Sequence, residues 1–123
     1  MAAAPVVHFE IIGKYGKKLQ DFYSKLLDWK IDADNPMNYG LVQPAGSGTE
    51  VGKGSIGGGV AAAQPGTPGY VAVYAQVSDL AATLKKAESL GAKTIVPPTE
   101  IPGMVTYALF ADPEGNMMGL VKG

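Results

Sequence analysis

The order of apolar runs in this chain occurs twice, and few folds can be built on such a duplication. Residues 6–12 are rich in β-branched side chains and alternate, with His8, Glu10 and Ile12 on one face and Val7, Phe9 and Ile11 on the other. Residues 13–16 break the run. Residues 17–29 then carry helical periodicity, with Leu19, Phe22, Tyr23, Leu26 and Leu27 as the packing face. Lys18, Gln20, Asp21, Ser24 and Lys25 form the opposite, solvent face. Residues 30–32, 39–43 and 55–60 read as three further strands, the last weakened by Gly57, Gly58 and Gly59. Residues 45–54 read as a loop, and residues 61–69, with two prolines and two glycines, as a linker.

The second half follows the same order. Residues 70–77 form a strand, and Ser78 or Asp79 caps a helix that turns Leu80, Leu84, Ala87 and Leu90 inward and stops at Gly91. Residues 92–96 form a strand ended by Pro97 and Pro98. Two helix-to-strand junctions align, Leu26-Leu27-Asp28-Trp29-Lys30 with Ser89-Leu90-Gly91-Ala92-Lys93. The pattern is βαβββ twice: one domain over residues 1–123, with modules at about 6–60 and 70–121 joined by 61–69. Asp112-Pro113-Glu114-Gly115-Asn116 closes the chain as a turn between two apolar strands. Proline sets φ there, Asp112 can bond the backbone ahead, and Gly115 tolerates positive φ.

Composition removes several classes of chemistry. The chain has no cysteine, which excludes thiolate catalysis and Cys-ligated metal. Its net charge of −1 argues against nucleic acid as a partner. Each of the ten basic residues is lysine, so no guanidinium fork is available for a phosphate or carboxylate. No apolar run reaches membrane-spanning length, and the Met1-Ala2-Ala3-Ala4 start lacks the features of a secretion signal; no membrane partner and a cytoplasmic location are expected. The glycine-rich residues 52–59 fail as a phosphate loop, because Ser47 stands at the first glycine position and Gly54 follows Lys53. Gly57, Gly58 and Gly59 suit instead a close approach of neighbouring groups.

The apolar residue, Asp-Pro-Glu-Gly-Asn turn and short apolar strand at 110–121 resemble the C-terminal signature of the vicinal oxygen chelate superfamily, which holds glyoxalase I, bleomycin-resistance proteins and extradiol dioxygenases. The resemblance spans about residues 6–121. It implies an α+β fold in which two tandem βαβββ modules form a curled mixed sheet around a concave ligand trough, and a homodimer. It also implies four metal-ligand positions, on the first and last strand of each module. His8 matches the first. Residues 55–63 offer no carboxylate for the second, and the third and fourth fall on Ala72 and Gly119. Alanine and glycine cannot coordinate a metal, so no metal and no cofactor are expected.

Three readings of the function follow. The first is a protein that binds a small apolar or aromatic molecule, with Tyr39, Ala72, Tyr74, Gln76, Met104, Tyr107, Met117 and Gly119 lining the trough and Met37 at its rim. Met118, Phe110 and Trp29 are read as packing. The second is a metal-free isomerase or lyase with His8 and Glu10 as the acid/base pair. A third reading, a metalloenzyme, needs displaced ligands such as Glu50, Glu100 or a partner chain. Glu100 and Met104 also suit a lid over the trough or a partner contact, against the plainer reading of residues 97–103 as a stiff surface loop.

Overall fold

A computed structural model describes residues 3–44 and 55–123. The loop expected over 45–54, Glu50 with it, and Met1 and Ala2 lie outside the described residues. The elements run β1 (Val6–Gly13), α1 (Gly16–Leu27), β2 (Ile31–Asp32), β3 (Gly40–Val42), β4 (Gly57–Ala62), β5 (Tyr70–Val77), α2 (Leu80–Ser89), β6 (Lys93–Ile101), β7 (Val105–Ala111) and β8 (Met117–Lys122). This is a mixed α+β fold of two tandem βαβββ modules. It falls into two compact units, His8–Val71 and Ala72–Gly123, the latter taking the N-terminal residues as far as Val7. The amide of Gln76 donates to Pro5 O at 2.9 Å, which ties those first residues to the second unit.

Both modules have the same connectivity. In the first, β1 pairs parallel with β4, β4 antiparallel with β3, and β3 antiparallel with β2. In the second, β5 pairs parallel with β8, β8 antiparallel with β7, and β7 antiparallel with β6. A parallel pair needs a crossover, and here the helix and two strands supply it. β1 and β5 are each eight residues long, and two residues separate each from its helix.

The second module has the more conventional core. Ala75, Leu80, Leu84, Ala108 and Leu120 pack together, joined by Val77, Phe110 and Met118. Asp79 is the N-cap of α2, its carboxylate accepting from Ala82 N at 3.0 Å. Leu90, expected inward, is 69% exposed, because the helix ends at Ser89 and the C-cap turns outward. β6 does not stop at Pro97 and Pro98 but continues to Ile101, with register shifts between Thr94 and Val96 and between Val96 and Thr99. It lies at the margin of its sheet, where prolines cost no ladder bond on the open side. The closing turn forms as its residues dictate. Asp112 Oδ1 accepts from the amides of Glu114 and Asn116 at 2.8 and 2.9 Å, and Gly115 has φ of 88°. Those donors hold the Asp112 carboxyl below its ordinary pKa, the Asn116 amide most.

α1 packs differently from its periodicity. Phe22, Leu26 and Leu27 are exposed, and the one fully buried residue of the helix is Gln20, expected on the solvent face. The cause is the close approach of the helix to β4. A methyl group built at Gly16 would lie 2.8 Å from the Ala62 amide nitrogen. At that separation the main chains leave room for an amide, and Gln20 Nε2 donates to Val60 O at 2.8 Å and Asn38 O at 3.1 Å. Trp29 packs as expected, its ring 5.2 Å from Phe9 and stacked 5.4 Å from Tyr23. The glycine-rich β4 is fully formed over six residues, paired on both sides. Replacing Gln20 with leucine removes a donor from the buried Val60 carbonyl and the part-buried Asn38 carbonyl, and we expect a loss of about 1–3 kcal/mol in denaturant unfolding with the helix content unchanged.

Candidate functional site

The parallel pairing of β1 with β4 sets Glu10 opposite Gly59 and His8 opposite Gly57. Tyr39, one residue before β3, is aimed by its neighbour in the turn. Asn35 Oδ1 accepts from the Tyr39 amide at 2.9 Å, and Asn35 Nδ2 donates to Tyr39 O at 2.8 Å. The ring thereby lies over Gly59, where a methyl group would overlap its hydroxyl end. Glycine is required here by space.

That placement creates a hydrogen-bonded chain. Tyr39 OH donates to Glu10 Oε2 at 2.7 Å, Tyr70 OH donates to Glu10 Oε1 at 3.0 Å, and His8 Nε2 lies 3.0 Å from Tyr39 OH. Tyrosine has one hydroxyl proton, and the shorter bond to the carboxylate uses it. Tyr39 oxygen is then the acceptor for His8, which donates from Nε2. The rings of His8 and Tyr39 are stacked, with centroids 6.3 Å apart. Glu10 is 7% exposed and is the one charged side chain buried among the described residues. Burial pushes the His8 pKa below its ordinary 6.5, and the negative charge of Glu10 offsets part of that shift.

The second module repeats the arrangement without the ionisable groups. Ala72 and Tyr74 hold the third and fifth positions of β5, as His8 and Glu10 do in β1. Tyr74 pairs with Gly119 of β8, and a methyl group at Gly119 would overlap the Tyr74 ring. Each module therefore has a tyrosine ring over a glycine of its last strand. Ala72 and Tyr74 are both 4% exposed, whereas Gln76 is exposed. Met104 is 56% exposed in the turn between β6 and β7, and Met37 is exposed in the turn before β3. Tyr107 and Met117 are half-buried on β7 and β8. Glu100 is exposed on β6, opposite Thr106.

Tyr70 is the member that sequence reasoning missed. It stands two residues before Ala72, so the alternation that placed Ala72, Tyr74 and Gln76 on one face also included it.

Among the described residues no three His, Asp or Glu side chains come together as a divalent metal requires. His8 and Glu10 are two donors, both Glu10 oxygens are engaged by hydroxyls, and the places of the other inherited ligands hold glycine or alanine. These residues do not fit the family's metal.

With that geometry established, the chain can be placed. It belongs to the Glyoxalase/Bleomycin resistance protein/Dioxygenase superfamily, which it matches over residues 6–120. It is 33% identical over 73 residues to the candidate glyoxylase CFP32 of Mycobacterium bovis, a match covering 59% of this chain and 28% of that protein's length. Solved structures share its fold. A protein of Legionella pneumophila described as an NAD-dependent benzaldehyde dehydrogenase aligns with a TM-score of 0.63 at 16% identity, over 94% of this chain and 96% of its own. The methylmalonyl-CoA epimerase of Mycobacterium tuberculosis aligns with a TM-score of 0.62 at 16% identity, over 99% of this chain and 91% of its own.

Two outcomes follow for the site. His8 is the single histidine, so its ring resonances in a proton NMR titration of untagged protein are unambiguous. Its midpoint should lie below 6.5, and Glu10→Gln should lower it further by removing the charge that favours the imidazolium. Because the folded protein binds this proton less readily than the unfolded chain, His8 contributes stability that is present above the unfolded value of 6.5 and is lost as pH falls below it through the lower folded midpoint. In His8→Gln that component of the pH dependence should vanish. Separately, Gly59→Ala should expel the Tyr39 ring and lower stability by about 1–3 kcal/mol, as over-packing does, with the His8 midpoint moving as the network opens.

Proposed function

We propose that this protein binds a small apolar or aromatic molecule, in the manner of the bleomycin-resistance members, without the usual divalent metal. The observation that carries the reading is the tyrosine over Gly59. A carboxylate at that position and the Tyr39 ring cannot occupy the same space, so the site has been rebuilt around hydroxyl groups. Tyr39 and Tyr70 offer ring surface and a polar end, the combination that suits flat organic ligands. In this reading Ala72, Tyr74, Gln76, Met104, Tyr107, Met117 and Gly119 are the further ligand-binding residues. Pairing into a homodimer and a cytoplasmic location belong to the same proposal. No helix among the described residues is long and apolar enough to cross a membrane.

One feature favours a second reading, a metal-free isomerase or lyase. Neutral His8, held to Tyr39 through Nε2, could take a proton from a substrate carbon. Glu10 would then stabilise the imidazolium through that hydroxyl. The epimerase neighbours make proton transfer next to a carbonyl a natural class to test. We rank it second because both Glu10 oxygens are engaged by hydroxyl donors.

Native mass spectrometry of untagged protein purified without chelator tests the proposal. The expected spectrum is a dimer free of stoichiometric metal, carrying an organic adduct. A stoichiometric divalent ion would overturn it. If a ligand is found, His8→Ala should leave its affinity within a few-fold; unchanged affinity with lost turnover would instead establish the second reading.

A further inference from the structure

α1 turns its apolar stripe outward. Tyr15, Leu19, Phe22 and Leu26 recur at intervals that place them along one side of the helix. Gln20, buried against the Val60 carbonyl, faces the other way. Phe22 and Leu26 are 53% and 62% exposed, Tyr15 is exposed and Leu19 is half-buried. An apolar patch left on a folded surface in this way marks a contact with something else.

The charges around the stripe point to an anionic partner. A shallow recess of about 840 Å³ lies beside Tyr15 and Phe22, with Lys14, Lys17, Lys18 and Lys25 around it. Among the described residues that line it are four of the chain's ten lysines and one of its eleven acids, in a protein of net charge −1. That acid, Asp21, is held by Lys17 at 2.9 Å. Lys17 and Lys18 lie in the first turn of α1, which carries no acidic residue, and positive charge there opposes the helix dipole. Helix stability therefore does not account for them.

A second copy of this helix does not meet the need. The positions flanking the stripe are Lys18 and Lys25 on one side and Gly16 and Tyr23 on the other. Antiparallel pairing would set Lys18 against Lys25 of the other copy, and parallel pairing would offer neither lysine a carboxylate. An anionic lipid surface supplies both requirements, hydrocarbon for the stripe and headgroup charge for the lysines, whose stems cover apolar surface while the ammonium stays in water. The expectation of no membrane partner rests on the lack of a spanning run, and a helix lying in the interface needs none.

We infer that α1 docks this protein on an anionic lipid surface, with Tyr15, Phe22 and Leu26 entering the interface and Lys14, Lys18 and Lys25 among the headgroups. The inference is independent of the ligand reading given above.

Co-sedimentation of untagged protein with lipid vesicles tests this. On vesicles of equal parts phosphatidylcholine and phosphatidylglycerol, at about 0.1 M salt, the protein should partition about tenfold or more above its level on phosphatidylcholine alone. Raising the salt to about 1 M should remove most of that difference. Lys18→Glu with Lys25→Glu should lower the partition on the mixed vesicles about tenfold or more. Phe22→Ser with Leu26→Ser should lower it about severalfold with every charge kept, which separates insertion of the stripe from surface attraction. All four side chains are exposed, and circular dichroism checks the fold of each variant. If one does not fold, the lipid and salt comparisons on the native protein decide alone. Equal binding to phosphatidylcholine alone, no binding to the mixed vesicles, or unaltered binding by the folded variants would overturn the inference. So would a dimer that Phe22→Ser with Leu26→Ser converts to monomer in analytical ultracentrifugation, since a second copy would then cover the stripe.

Discussion

A tyrosine ring resting on a glycine is the contact on which the site depends. The register of β1 with β4 sets Gly59 opposite Glu10, and the register of β5 with β8 sets Gly119 opposite Tyr74. Any side chain at either glycine would need the volume that the ring now fills. The two states of such a position are therefore exclusive. Either the last strand projects a side chain towards the first, as a metal enzyme of this fold requires, or a ring covers the backbone and brings a hydroxyl. Once Gly59 is fixed, Tyr39 can reach both Glu10 and His8, and Asn35 gains its role as the clamp that holds Tyr39 in place.

The duplication and its closing turn were legible in the sequence because local chemistry decides them. Strand alternation in β1 and β5, the Asp79 cap and the Asp112 turn all depend on residues within a few positions of one another. What was not legible depends on distance between main chains. α1 was read from its periodicity as packing through Phe22, Leu26 and Leu27, and only the close approach at Gly16 shows why Gln20 is buried in their place. Pro97 and Pro98 read as a strand end because proline donates no ladder bond. They are tolerated in β6 because that strand lies at the margin, and marginal position is a property of topology. For the site, His8, Glu10 and Tyr39 were each singled out, but their union was not, since it needs β1, β4 and the turn before β3 together. Tyr70 carried a usable signal that the alternation of β5 contained.

The network also explains how a carboxylate can be buried while the lysines among the described residues stay in water. Two hydroxyl donors satisfy both oxygens, and no buried side-chain nitrogen or oxygen among the described residues lacks a hydrogen-bond partner. Full satisfaction makes the cluster rigid, and rigidity narrows the roles open to Glu10. A carboxylate held by two O–H groups is poorly placed to swing towards a substrate. It is well placed to set the potential around His8 and to fix the tautomer of its ring.

Comparison of the modules places His8 and Glu10 in one half of the chain, with Tyr70 at the start of β5 as the second hydroxyl donor to Glu10. Where β1 carries His8 and Glu10, β5 carries Ala72 and Tyr74, so one module has kept two ionisable groups and the other has kept none. The tyrosine-on-glycine contact survives in both and thus does not depend on the charge it accompanies. In the first module the ring comes from outside the parallel pair, which leaves position 10 open for an acid. In the second it comes from β5 itself and fills the matching position.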